Sequence, residues 1–344
     1  MSAQANYRKE RLDRGIKARS DDIFALASYK DLAYLLLPRM LLIGGLLIVP
    51  LLGGLIGVYW LNVILITGTI ALLALSWDLL AAVGLVSLGH ALFFGVGAYI
   101  AGGLSFKFGW TPILTIPVAM LAGSLLCTLL LYPVLRLRGI YFALITLALP
   151  LLMMRVIEAT KILGGTEGLS SLAPLPKMPL VLYLIVIVLF LFLFGFRRLI
   201  DSDYGLVFRA IKDDDRSVMA GGINIYWFKA QAVFIAALPA TFAGAFLTHY
   251  YRIVGMPAFS LEYSVLPLTG AIVGGQGTFV GAMLGAFILV PISEFLRTSG
   301  TLRVVIYSIM LIIFTVGLPE GVFHYLKRKY HQFERLVPVE EGAE

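Results

Sequence analysis

The chain holds a single cysteine, Cys127, set in an apolar run, so no intramolecular disulfide can form and the thiol reads as a small buried hydrophobe. Charge is scarce as well: only 14% of the residues are Asp, Glu, Lys or Arg, against about a quarter in soluble domains. There is no HExxH, no paired cysteines and no set of carboxylates at catalytic spacing, which removes the usual metal and acid–base enzyme signatures. No glycine is followed by lysine, so the phosphate loop GxxxxGK[ST] is missing and any ATP-driven work belongs to another chain. The charged N-terminus lacks the short apolar core and cleavage site of a signal peptide. Period-2 strand patterns are absent too, so helices rather than a barrel are the spanning elements.

What remains is apolar. Hydrophobic residues make up 60% of the chain, with a mean hydropathy of +0.92, and several runs reach the roughly 20 residues that cross a bilayer. The fold class is therefore an all-α polytopic membrane protein. Ten spans are read, over 41–57, 59–81, 84–104, 112–135, 139–157, 180–196, 228–250, 263–275, 279–295 and 304–325, the eighth short enough to be re-entrant. Basic residues cluster before the first span, after the fourth (Arg136, Arg138), after the sixth (Arg197, Arg198, Arg209, Lys212, Arg216) and after the tenth. An even span count puts these groups on one side, the cytoplasm. The net charge of +7 thus sets orientation and is no sign of nucleic-acid binding. The chain divides into a cytoplasmic tail (1–35), a membrane domain (36–326) and a second cytoplasmic tail (327–344).

Two loops are long enough to act. The external one, 159–179, is rich in Gly, Ser and Pro and reads as irregular. In the cytoplasmic one, 197–227, Tyr204, Val207, Phe208 and Ile211 form one apolar helical face. Asp213, Asp214 and Asp215 suit the start of a second short helix, which Gly221 and Gly222 would end. Such a pair of helices is a platform for a partner; the plainer reading is a solvated connection.

Glycine is patterned. Gly84, Ser87, Ala91, Gly95, Ala98 and Gly102 are spaced 3, 4, 4, 3 and 4, one face of one helix, which lets a helix or a solute approach the backbone closely. Gly270, Gly274, Gly277, Gly281 and Gly285 repeat the pattern, and "GHALFFG" (89–95) aligns with "GQGTFVG" (275–281). An offset of about five spans makes this an inverted internal repeat, a mark of transporters. His90 beside the stripe is a pathway group or an interhelical packing bond. Asp78 pairs with it or caps a helix after a break. Arg155 and Glu158 can pair at i, i+3, while Glu262, Glu294, Arg297 and Arg303 lie near span ends. Pro117, Pro150, Pro239, Pro267 and Pro291 interrupt apolar runs and should kink or break their helices.

"GLVSLGHALFFGVGAY" closely resembles the "SLGHAAFFGIGAY" element of permeases of the branched-chain amino acid ABC importer family, the LivM-type subunit. "RLRGIYFALITLAL", "LGGTEGL", "YGLVFRAIKDDDRSVMAGGINIYWFKAQAVFIAALPATFAGAFL", "VGGQGTFVGAMLGAF" and "GLPEGVF" follow in the family's order. The resemblance runs from about residue 72 to 323; the first forty residues lie outside it.

The resemblance implies ABC importer permease architecture and a coupling segment that docks on an ATPase. Its residues here are Tyr204, Gly205, Arg209, Ile211, Lys212, Asp213, Asp214, Asp215, Ser217, Ala220, Gly222, Ile223 and Asn224. Asp215 stands for the family's glutamate, Ser217-Val218 replaces paired alanines, and Gly221-Gly222 replaces Leu-Gly. It further implies a path or packing surface at Ser87, Gly89, His90, Ala91, Gly95, Gly274, Gly275, Gly277 and Gly281, and an external loop near a binding protein at Gly164, Gly165, Thr166 and Gly168. The implied partners are a sister permease (LivH-type), two ABC ATPases (LivG/LivF-type), an external solute-binding protein and membrane lipid, with no nucleic acid. ATP and Mg would sit on the ATPases, and this chain would hold no cofactor or metal. The solute would be a branched-chain or related amino acid, or urea, a short amide or a carboxylic acid. An ATP-independent channel for a small neutral solute is the rival.

Overall fold

A computed structural model describes residues 57–296 without a gap, and also 7–11, 44–45, 309, 312–313, 316–317, 321–331 and 334–338. Its helices are α1 (Val58–Ala82), α2 (His90–Phe108), α3 (Pro112–Leu131, continued by a 3-10 turn over Tyr132–Arg136), α4 (Ile140–Thr160), α5 (Met178–Ile200), α6 (Asp203–Ala220), α7 (Ile225–Tyr251), α8 (Glu262–Gly274), α9 (Val280–Phe295) and α10 (Gly321–His331). Strand β1 (Tyr7–Arg11) pairs antiparallel with β4 (Glu334–Pro338), and β2 (Leu169–Ser170) with β3 (Ile253–Val254).

Among the described residues, seven segments are long and apolar enough to cross a membrane: α1 to α5, α7 and Met256–Gly274, which contains α8. The spans read at 59–81, 112–135, 139–157, 180–196 and 228–250 fall on α1, α3, α4, α5 and α7. Those at 41–57 and 304–325 lie largely outside the described residues, as do Arg297 and Arg303. α8 and α9 have 13 and 16 residues, about 20 and 24 Å of helix, so neither alone spans a hydrocarbon core of about 30 Å. They form a hairpin whose arms meet through Gly270 and Gly274 on one side and Gly281 and Gly285 on the other; a Cβ would overlap the opposing backbone at Gly274, Gly281 and Gly285 and crowd it at Gly270.

α1 and α7 form the centre. α1 is buried from Thr67 through Ala81 without interruption, and α2 and α3 pack on α7 while α5, α8 and α9 pack on α1. α2 and α7 approach closely where Gly97 lies on the Thr241 carbonyl and Gly244 on that of Phe94. α3, α4 and α5 turn apolar outer faces outward, with Leu121, Leu129, Leu144, Leu151 and Leu191 exposed, as expected of helices whose solvent is lipid.

The structure corrects three expectations. The span read at 84–104 is helical only from His90: residues 84–89 run as a non-helical segment. There the Trp77 Nε1–H donates to the Ser87 carbonyl (2.8 Å) and the Leu88 N–H to the Thr146 hydroxyl (3.1 Å). Gly84 turns the chain at φ +81° and Gly89 lies against the Thr146 backbone. Gly84 and Ser87 therefore leave the small-residue helix face, which begins at Ala91. Of the kink or break expected at the five prolines, no break is seen: each sits inside a helix that continues past it, and the breaks fall at glycine-rich segments. Finally, the two aligned heptapeptides have different local structure. Gly95 is mid-helix against the Phe259 ring, whereas Gly281 lies in the first turn of α9.

Candidate functional site

The residues singled out in the sequence fall in three places. On one face lies α6. It is a single helix in outline, but Asp214 has φ −154° and ψ 103°, so the backbone breaks where a second helix was expected to begin. Asp214 makes the new start: its carboxylate accepts from the Arg216 N–H (3.0 Å) and the Ser217 hydroxyl (2.6 Å), the arrangement of an N-cap. These bonds hold the Asp214 carboxyl below the usual aspartate range, the Ser217 hydroxyl contributing most. Gly221 ends the helix and Gly222 turns the chain at φ +81°. The Asn224 side chain then caps α7 by accepting from Tyr226 and Trp227. Gly205 packs on the Ile200 carbonyl, and Arg209 donates to that same oxygen at 2.8 Å.

Asp215, the residue after the break, turns inward. One oxygen meets Arg138 Nε at 3.0 Å and Lys229 Nζ at 3.2 Å, with only 12% of the Asp215 side chain and 6% of that of Lys229 exposed. Three elements, the α3–α4 junction, α6 and α7, are tied by one carboxylate. Beside it lies a cleft of about 210 Å³ lined by Gly84, Leu85, Arg138, Phe142, Lys212, Asp213 and their neighbours. The sequence had given Arg138 only a topological role and had passed over Lys229, although a lone lysine in "YWFKAQAVF" was itself a signal. Ala220 and Ile223 flank the glycine turn, and Ile223 is exposed.

The second place is within the spans. Asp78 is fully buried, and its two oxygens accept from the backbone N–H groups of Gly277 (2.6 Å) and Phe279 (2.9 Å) in the α8–α9 break. It does not pair with His90. Neither sequence reading describes it: Asp78 holds the backbone of a break about 200 residues away rather than pairing with His90 or capping a helix. His90 Nε2 shares a hydrogen with Ser76 Oγ of α1 at 3.1 Å, and its ring meets Phe93 edge-on at 5.2 Å. That is a bond between α1 and α2; among the described residues Nδ1 is buried without a hydrogen-bond partner. The Ala91 N–H at the start of α2 donates to Ser264 of α8 (2.9 Å), and the Gly89 N–H to Ser87 (3.2 Å). Gly95, Gly274 and Gly281 are filled against by Phe259 and by hairpin backbone, so they pack helices together in this state. Gly275 and Gly277 have φ of +118° and +84° and supply the turn at the hairpin tip.

The third place is the opposite face. Gly164, Gly165 and Gly168 all take positive φ in the loop after α4, with Thr166 between them, and Gly168 lies on the Val254 carbonyl. The β2–β3 pair joins this loop to the chain after α7. His249 reinforces the joint: Nδ1 bonds the Ala173 carbonyl (2.8 Å) and Nε2 the Thr115 hydroxyl (2.6 Å). A carbonyl only accepts, so Nδ1 carries a proton and donates to Ala173. Nothing in the sequence pattern pointed to this bridge. Arg155 and Glu158 pair at 2.7 Å as expected, and Glu294 accepts from Tyr59.

The branched-chain amino acid transport system / permease component family matches residues 59–315. The high-affinity branched-chain amino acid transport system permease protein LivM of Escherichia coli (strain K12) is 24% identical over 273 residues, covering 70% of this chain and 64% of its own. That of Salmonella typhimurium (strain LT2) is 25% identical over the same shares. The chain thus spans less than two thirds of the length of these curated relatives. No solved structure matches it.

Proposed function

Because the chain belongs to the branched-chain amino acid transport system permease component family, we propose that it is the membrane subunit of an ATP-binding-cassette importer. With a sister permease it forms the path for branched-chain or related amino acids delivered by an external solute-binding protein. The observation that carries this reading is the build of α6. Phe208, Ile211 and Val218 pack into a small core with Val83, Ile225 and Ala232, while Tyr204, Leu206, Met219 and Ile223 stay exposed. Exposed apolar side chains on, and just after, a helix outside the spans suit a docking surface. In this reading the occupant of that surface is an ATPase, and ATP and Mg belong to that partner.

The α6 face is the cytoplasmic one in this reading, because Arg136, Arg138, Arg197, Arg198, Arg209 and Lys212 gather on it. The β1–β4 pairing of the two tails supports termini on one side. The opposite face, with the Gly164–Gly168 loop, then receives the binding protein. Closure of the ATPases moves α6, and the Asp215 tie to the α3–α4 junction and α7 passes that motion into the spans. A ligand shifts such an equilibrium only through its differential affinity for the two states, and most of that difference comes from ATP.

The test is reconstitution with sister permease, ATPases and binding protein in proteoliposomes. Uptake of labelled leucine should require both ATP and binding protein. Steady uptake down a gradient with neither would overturn the importer reading in favour of a facilitator. Uptake of urea or an aromatic acid in place of leucine would move the substrate assignment alone.

A further inference from the structure

We propose that Asp78 is a positioning residue for transport: its carboxylate latches the α8–α9 hairpin to α1, and release of this latch lets the hairpin move. The proposal rests on the permease reading above. A buried charge in a membrane span is costly and marks function, and this one spends both oxygens on backbone. Gly277 and Phe279 donate to different oxygens at 2.6 and 2.9 Å. A carboxylate accepts only, so it matches two donors with no donor of its own left over. Asparagine in its place would turn an NH₂ toward one of the two N–H groups.

The latched element is built as a rigid body on a bendable tip. Its arms touch through glycine backbone at Gly270, Gly274, Gly281 and Gly285, which resists shear within the hairpin. The tip is the opposite case. Gly275 and Gly277 are left-handed, and buried Phe279 has φ 52° and ψ −49°, a conformation rare for a bulky residue and costly unless its surroundings hold it. Asp78 on its N–H, Phe196 against its ring at 5.8 Å between centroids, and the Met283 N–H on its carbonyl at 3.0 Å hold it. Of these, the Asp78 bond is the one that reaches the hairpin from α1, so its loss removes part of what holds the strained residue.

The latch also has an input. Six residues after Asp78, Gly84 closes on α6, where an added Cβ would come within 3.2 Å of the Lys212 Cα. A displaced α6 therefore pushes on the end of α1 that carries Asp78. The route from α6 through Gly84 and Asp78 to residues 277–279 is contiguous, and the proposal makes the hairpin the element whose two arrangements coupling requires.

The experiment uses the full complex in proteoliposomes, in a Cys127→Ser background. Gln276→Cys, at an exposed position of the tip, reports hairpin position through its rate of reaction with a membrane-impermeant maleimide. With Asp78 intact the rate should change at least fivefold on adding ATP. With Asp78→Asn it should take the unlatched value without nucleotide and no longer respond, while solute moved per ATP falls at least tenfold. Gly277→Ala guards against misfolding: its methyl meets open space but its φ of +84° disfavours alanine, so it weakens the latch from the other side. It should shift the nucleotide-free rate in the same direction. A rate that responds to ATP equally with and without Asp78, or that neither variant shifts, overturns the latch. If uptake by the unaltered complex proves independent of ATP, the importer reading fails. The nucleotide-free comparison of Asp78 with Asp78→Asn still decides the latch.

Discussion

Replacing Asp215 by asparagine removes one negative charge from between two cations, and the two cations respond differently. Arg138 has 45% of its side chain exposed, so its share of the contact is screened and is worth about 0–1 kcal/mol. Lys229 is the other case, with 6% exposed and Nζ 3.2 Å from the carboxylate. At that distance and an effective dielectric near 20 the gross attraction is about 5 kcal/mol. The desolvation of Lys229 is not recovered when its partner is neutralised, so the net loss is about 3–5 kcal/mol. Asp215→Asn should therefore lower the thermal midpoint of the purified subunit clearly. Arg155→Gln, which breaks an ion pair whose arginine is 81% exposed, should barely move it.

The double variant Asp215→Leu with Lys229→Met separates stability from coupling. An apolar pair of similar volume replaces a buried ion pair at little cost, so the midpoint should recover to near that of the native chain. The tie from α6 to α7 is nonetheless gone. In reconstituted complexes, ATP hydrolysis should stay within about threefold while uptake per ATP falls at least tenfold, a free-energy difference of about 1.4 kcal/mol or more. Full uptake in the double variant would refute the idea that this carboxylate passes on the motion of α6. An Asp215→Asn midpoint no lower than that of Arg155→Gln would refute the energetics.

Other outcomes follow from the same geometry. Gly97→Val forces α2 and α7 apart at the Thr241 carbonyl and should abolish accumulation of folded protein, read by fluorescence-detected size exclusion in detergent. Asn224→Ala removes the cap of α7 and should cost about 1 kcal/mol, seen as a lower thermal midpoint. His249→Ala and Thr115→Val each break the bridge to Ala173 and should speed proteolysis within 161–177 several-fold. The Asp214 carboxyl is held below its ordinary value of 3.8 by Ser217 and Arg216, and a depressed carboxyl stabilises the fold above the unfolded pKa and loses that contribution as pH falls through the folded one. Its carboxyl ¹³C signal should titrate below 3.8, and Ser217→Ala should raise the midpoint.

How much of this was legible depends on the range of the interaction concerned. Local patterns served well: the i, i+3 pair of Arg155 and Glu158, the glycine stop at 221–222 and the apolar face of Phe208 and Ile211 all stand in the structure. Patterns failed where a distant residue competed with a local one. "GLVSLG" has helical spacing, yet Trp77 and Thr146 bind its backbone and draw it out of the helix. Prolines look like breakers in sequence, but in a bilayer neighbouring helices can keep them inside continuous helices. The stripe of small residues said that something would come close; the Thr241 carbonyl, the Phe259 ring and the hairpin's own backbone were not in it to be read.

The sequence by itself determined that this is an all-α membrane protein, because hydropathy and length answer to the bilayer alone; that residues 84–89 leave the helix and that α8 and α9 are each too short to span alone was decided by the tertiary structure. The motif order of the sequence also determined the permease family, and the acidic run at 213–215 marked where α6 restarts. Only the tertiary structure decided what the buried charges do. Asp78 finds its donors at 277 and 279, and Asp215 its cations at 138 and 229. A charge placed in a low-dielectric interior must be satisfied by whatever the fold brings to it, and sequence distance carries no information about that.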